Sequence, residues 1–403
     1  METLRRAVSF VTGRTNVDGE ELELPHAVER AYVLSKDVGH RGPVVGGFQL
    51  SLPDGSNVVV TVTPSGLAMV TAESASVICQ LSPDQGDAFT CSIACTEGLL
   101  IGCQSGKSLL AKVSGDGVTV TKSISSLSAP VTCLATMEEA ISSVVAVGNE
   151  AGNICIWSPQ TSHTIALSLS SNAVTACVSI DSELWASFDK EGIRILNVAS
   201  ENEVLQVHMN EANVDPEGMA TVTNMVFSSY HGLVICLSSC SDVFLIDKAT
   251  RVCLHRYPAT LMTCGASLTS LITVERKAFP GSTFLMLGGV DGSLCIRELN
   301  KRPRDGKLQC VLHRCFDRLS PSLKIEGEFA LDPSEGVPIT SLYVPHEDGP
   351  ETCIAGDASC ALFAVRLNLR SVNPERAKSG DATSDGDNKS SKSPSFDGVN
   401  EVA

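Results

Sequence analysis

The stretch Gly102-Cys103-Gln104-Ser105-Gly106-Lys107-Ser108 comes nearest to a site for chemistry, because it looks like a phosphate-binding loop. Such a loop needs four residues between its glycines and must open a helix whose N-terminus faces the phosphate. Here three residues separate the glycines, and Leu109-Leu110-Ala111-Lys112-Val113 follows as a strand-like run. The segment therefore reads as a tight turn. Cys310, His313 and Cys315 lie close enough in sequence to share a metal. Structural zinc sites show paired spacings and four ligands, and neither is present, so ordinary thiols are expected. The histidines (26, 40, 163, 208, 231, 255, 313 and 346) are scattered, and none lies beside a Gly-x-Ser-x-Gly elbow. No catalytic, cofactor or metal residue is assigned, and a non-enzymatic protein is expected.

The elements that would carry any site come from a repeat. An apolar residue followed by Thr recurs at Phe89-Thr90, Val131-Thr132, Val174-Thr175, Val222-Thr223, Leu268-Thr269 and Ile339-Thr340. The first five threonines are 42, 43, 48 and 46 residues apart, and the last gap is 71. Val44-Val45 lies about one period before Thr90 and supplies a seventh unit without the Thr. Periods near 45 residues suit four short strands with turns, the size of one propeller blade. Within units, apolar runs flank turn residues, as in Val144–Gly148, Asn149–Asn153 and Ile154–Trp157. Runs apolar on both faces suit sheets packed between neighbours. The expected fold is all-β: a single seven-bladed β-propeller of four-stranded blades over residues 27–370. A closed ring leaves no exposed inner edge. The seventh unit shows only three strands, so Ala27–Leu34 is expected to close the ring as its outer strand.

Ile156-Trp157 and Gly39-His40, the latter followed by Val44-Val45, resemble WD-repeat proteins. The resemblance spans about residues 27–370 with degenerate repeats; one unit has the Gly-His and one has the third-strand Trp. It implies a scaffold or adaptor that binds proteins and helps assemble a multi-subunit complex. It also implies docking on the face of the loops preceding each first strand, near Arg41–Val44, Asp87–Thr90, Ala129–Val131, Asn172–Val174, Thr221–Val222, Ser267–Leu268 and Val337–Ile339.

Net charge is −16, which opposes binding to nucleic acid. Against that background, residues 297–318 carry seven Lys or Arg and three acids, and residues 201–217 carry five acids and no Lys or Arg. Both segments read as insertions. Lys301, Arg302, Arg304, Lys307 and Arg314 are the candidate partner-binding residues, for an acidic protein partner or, alternatively, a phosphoinositide or acidic peptide. A less favoured alternative is an enzyme at the channel mouth. Sixteen cysteines, mostly single within apolar runs, indicate thiols in a reducing compartment, with the cytoplasm expected. No membrane span is expected. Residues 1–26 read as an arm, and 371–403 as a disordered Ser/Asp-rich tail with a possible phosphorylation site at Ser393-Pro394.

Overall fold

The computed structural model describes residues 28–33 and 40–369, apart from 53, 73–76, 97, 126, 139–142, 202–203, 210–220, 263–265, 317–318, 320–335 and 346–351. Expectations for residues 1–26 and 371–403 lie outside the described residues. Seven four-stranded antiparallel sheets follow one another around a ring. Each is a blade whose strands are lettered a to d from the centre outward. Blade 1 runs Gly46–Ser51, Asn57–Thr63, Gly66–Thr71 and Val77–Leu81. The a strands of blades 2 to 7 begin at Phe89, Val131, Val174, Val222, Leu268 and Ile339. These are the six positions marked by the apolar–Thr pair.

The pair has a local cause. In blades 2 to 7 the strand a register skips the Thr: Val131 faces Asn149 and Cys133 faces Gly148, with Thr132 bulged between them. The same skip occurs at Thr90, Thr175, Thr223, Thr269 and Thr340. A bulge frees a residue from the ladder and turns its side chain aside. The hydroxyls then donate to strand b of their own blade, as from Thr223 to Leu237 O (3.2 Å) and Thr175 to Ser187 O (3.4 Å). They also reach the apolar knob residue at the start of the next blade: Thr132 donates to Val174 O (2.5 Å) and Thr340 to Val44 O (2.8 Å), two residues before strand a of blade 1.

The apolar partner of the pair packs the blades together. A Cβ on Gly102 would lie 2.5 Å from Val131 of the next blade; on Gly148, 2.7 Å from Val174; on Gly288, 2.8 Å from Ile339. On Gly356 of blade 7 it would lie 2.5 Å from Val44 of blade 1. Four of the seven apolar knobs thus fill a notch left by a strand b glycine; at the matching position blades 1, 4 and 5 carry Val62, Ser187 and Leu237. Seven buried clusters follow, each drawn from two adjacent blades; Val44, Val59 and Ala68, for example, join Ile354, Leu362 and Ala364.

Blade 1 departs from this plan and lacks the bulge. In the other six blades the residue after strand b donates its N–H to the residue before the knob, as from Glu150 to Pro130 O (2.9 Å) and Ala358 to Pro338 O (2.9 Å). The corresponding residue in blade 1 is Pro64, which has no N–H. A different lock replaces that bond: His40 Nδ1 meets Thr63 Oγ1 at 3.3 Å, and Arg41 N donates to Ser65 Oγ at 2.7 Å.

Val28–Val33 pairs antiparallel with Ala361–Arg366 and completes blade 7 as its d strand, as expected from the sequence. The two insertions need correction. Arg297 lies in strand c of blade 6 (Leu294–Lys301), and Leu308–Phe316 is strand d, so most of 297–318 is blade. Likewise Val204–Met209 is strand d of blade 4. Outer strands border solvent and carry charge, so composition alone makes them look like loops. The extra length behind the 71-residue gap lies instead between Phe316 and Ile339.

Two outcomes are expected. Removing residues 1–33 leaves the outer edge of strand c of blade 7 unpaired and lowers the thermal midpoint on the order of 10 °C, read by circular dichroism. Gly148→Val forces a methyl pair into the Val174 notch and costs roughly 1–3 kcal/mol in denaturant unfolding. The same change at exposed Gly55, where the added Cβ meets nothing, lacks this packing cost.

Candidate functional site

Turns in an antiparallel meander alternate between the two ends of the sheet. The loops entering each a strand therefore share one face, here called upper, with the b–c turns; the a–b and c–d turns form the lower face. The loops near Arg41–Val44 through Val337–Ile339 are upper. Lys301–Lys307 is the c–d turn of blade 6 and is lower. The two sequence-derived docking surfaces thus lie on opposite faces.

The upper face is largely occupied by turn-holding bonds. Asn149 Oδ1 accepts from the N–H groups of Ala151 (3.1 Å) and Asn153 (2.8 Å). Asp291 takes Ser293 N (3.0 Å), and Asp87 takes Ser105 N and Oγ at 2.9 and 2.6 Å. Asp357, buried in the b–c turn of blade 7, accepts from Ser359 N and Ala361 N, both at 2.9 Å. Burial pushes its carboxyl up to about 6, against the opposing pull of those N–H groups. Within the phosphate-loop-like segment, Cys103 ends strand b and Ser108 begins strand c of blade 2. Lys107 there is ion-paired to Asp84 at 2.7 Å, and no helix follows.

The lower face of blade 6 is different. Arg302 N donates to Lys307 O and Gly306 N to Arg302 O, both at 2.8 Å, closing the turn, and Gly306 supplies its positive φ of 69°. Every residue from Lys301 to Lys307 is exposed. Arg302 lies 3.8 Å from Asp305, an exposed pair of little energetic weight. Lys301, Arg304 and Lys307 make no ion pair among the described residues. The fold thus concentrates four of the five candidate residues. Arg314 stands apart toward the other end of strand d, its guanidinium 4.6 Å from the Phe316 ring centroid. Lys277, in the a–b turn of the same blade, is exposed on this face as well. Sequence separation hid it, and the shared blade puts it on the same face.

Neighbouring charges on the lower face are committed to the fold. Arg251 of blade 5 reaches Glu183 of blade 4 at 3.1 Å, and Glu183 accepts Trp185 Nε1 at 3.0 Å. Glu275 collects Ser228 Oγ (2.7 Å), Thr283 Oγ1 (2.7 Å) and Tyr230 N (3.2 Å). Burial alone would raise its carboxyl, but bonds from Ser229, Thr283, Ser228 and Tyr230 outweigh it and hold the carboxyl below its ordinary range. The a strands carry Asp, Glu, His, Lys or Arg only as Glu138 and Glu275, each a terminal residue. Cys310, His313 and Cys315 do not converge: the thiols pack on the blade 5 side, whereas His313 meets Phe284 edge-on at 5.6 Å, toward blade 7. Among the described residues no group of three His, Cys, Asp or Glu could hold a metal.

No family model matches the chain, and no curated protein matches it by sequence. Solved structures do. A chain from the crystal structure of the mitotic checkpoint complex superposes over 87% of this chain and 98% of its own length, with a TM-score of 0.62 and 15% identity. The computationally designed Ika8 protein covers 81% of this chain and 97% of its own, with a TM-score of 0.50 and 12% identity. At these identities the likeness is one of fold. No described helix is long and apolar enough to cross a membrane.

The raised Asp357 carboxyl gives a signed expectation. Its folded value lies above the unfolded one, so its contribution is fully present below about pH 4 and is lost as pH rises through about 6. Asp357→Asn lacks that titration. The stability difference between wild type and D357N should therefore shift in favour of wild type from pH 7 to pH 4, measured by urea unfolding; a constant difference would refute the assignment.

Proposed function

We propose that the chain is a non-enzymatic scaffold that binds proteins and helps assemble a multi-subunit complex. Its individual docking element is the basic turn of Lys301, Arg302, Arg304 and Lys307 on the lower face of blade 6. The observation that carries this reading is the exposure of those four cations beside a single weak internal partner, on a chain of net charge −16. An isolated positive patch on an acidic body steers an acidic partner toward that patch. The ring supplies rigidity: loops held on closed blades lose little freedom on binding. The solved neighbour from the mitotic checkpoint complex belongs to a multi-protein assembly, which accords with a scaffold role. Cytoplasmic residence is part of the proposal and rests on sixteen cysteines placed mostly singly within apolar runs.

The test is affinity purification of the full chain with mass spectrometry, repeated with the quadruple change K301E/R302E/R304E/K307E. A partner should be recovered by wild type, weaken by at least about tenfold with the variant, and dissociate as salt is raised. Salt-insensitive binding that the variant retains would move the interface elsewhere. Turnover of a small substrate by a chain that captures no protein would overturn the scaffold reading itself.

A further inference from the structure

Blade 6 contains the one directly opposed cysteine pair in the described strand registers. Cys295 of strand c faces Cys315 of strand d, and their sulfurs lie 2.8 Å apart. Residues directly opposed on antiparallel strands hold their Cα atoms about 4.5–5.5 Å apart, inside the range that a disulfide spans. Joining the sulfurs thus needs little movement of the backbone. The two differ in access, since Cys295 is buried and Cys315 is partly exposed.

We infer that Cys295 and Cys315 are a reversible oxidation site that a peroxide converts from two thiols to a cross-strand disulfide. The more accessible Cys315 reacts first, as thiolate. Its sulfur takes one oxygen from hydrogen peroxide, giving a sulfenic acid and releasing hydroxide. The Cys295 sulfur then attacks the Cys315 sulfur, forms the S–S bond and expels the sulfenic hydroxyl, which takes the Cys295 proton and leaves as water; the proton that Cys315 lost on ionising neutralises the hydroxide from the first step. Two thiols and one peroxide become one disulfide and two waters. A small dithiol returns both electrons and protons by exchange.

No other cysteines face each other in a described strand register; Cys133 and Cys177 also come within hydrogen-bond reach, but they sit on the inner strands of adjacent blades, and that contact together with burial raises the Cys177 thiol. Cys91 and Cys353 are pushed up to about 12 by burial, which withholds the reactive thiolate. Cys240 is exposed and faces no cysteine in the described registers. The consequence of the bond is local. Strand d of blade 6 is an edge strand held by strand c alone, and a register shift interrupts their pairing between Ile296 and Arg297. The disulfide would lie above that interruption and fasten the end of the strand opposite the Arg302–Lys307 turn.

The full chain, purified reduced, is treated with one equivalent of hydrogen peroxide, blocked with N-ethylmaleimide, digested and mapped by mass spectrometry. The expected product is a peptide joining Cys295 to Cys315 that dithiothreitol separates. C315S should yield no such peptide, and C295S should leave a Cys315 sulfenic acid that dimedone captures. Oxidation of exposed Cys240 reports that the reagent acted. Recovery of Cys295 and Cys315 as separate maleimide adducts while Cys240 is oxidised would overturn the inference, as would conversion of wild-type Cys315 to sulfinic acid without a cross-link. The wild-type map decides the matter even where a variant folds poorly.

Discussion

The contact between the first apolar residue of each inner strand and the second strand of the preceding blade governs this structure. No blade has a core of its own. Its strands are apolar on both faces, so each buried cluster exists only where two blades meet. At four of the seven junctions a glycine opens the notch, and bulged threonines tie successive inner strands by backbone carbonyls. Removing one contact leaves two faces exposed, and for this reason closure matters as much as any blade. Blade 7 meets blade 1 through Val44 against Gly356, Thr340 to Val44 O, and the borrowed strand Val28–Val33.

The same constraint shapes where binding can be sought. Side chains between blades are fully engaged, and polar groups at the ends of strands mostly close turns. Asp87, Asn149, Asp291 and Asp357 look functional by type but accept backbone N–H groups of the b–c turns of their own blades. Glu183 and Glu275 on the lower face join blades 4 and 5, and 5 and 6, respectively. Charge that remains uncommitted after this accounting is therefore informative. The Lys301–Lys307 turn stands out because its backbone bonds close the turn without using its cations. Its position at the end of a long outer hairpin also sets it on the face opposite the loops that the WD-repeat resemblance implies.

Much of the fold was legible because bulge and notch impose a residue type at a fixed place. An unpaired inner-strand position beside a neighbouring carbonyl favours a short hydroxyl, and a buried knob before it must be apolar, so the pair recurs at blade spacing. The first blade escaped the pattern for an equally physical reason: Pro64 cannot donate, and the His40–Thr63 contact takes over a task done elsewhere by backbone. The outer strands were not legible as strands. One face of such a strand meets water, so charge accumulates there, and the hairpin through Arg297–Phe316 resembled a basic insertion.

The sequence by itself determined the number of blades and the closing strand, since each depends on periodicity or on local residue type. Only the tertiary structure decided which charges are spent and which face the basic turn occupies. It also set Lys277 on the same face as that turn, separated Arg314 from it, opposed Cys295 to Cys315 and turned His313 away from both thiols. Those relations join strands through register and blade packing, where a one-residue shift moves a side chain to the other face, and no local pattern in the chain records that choice.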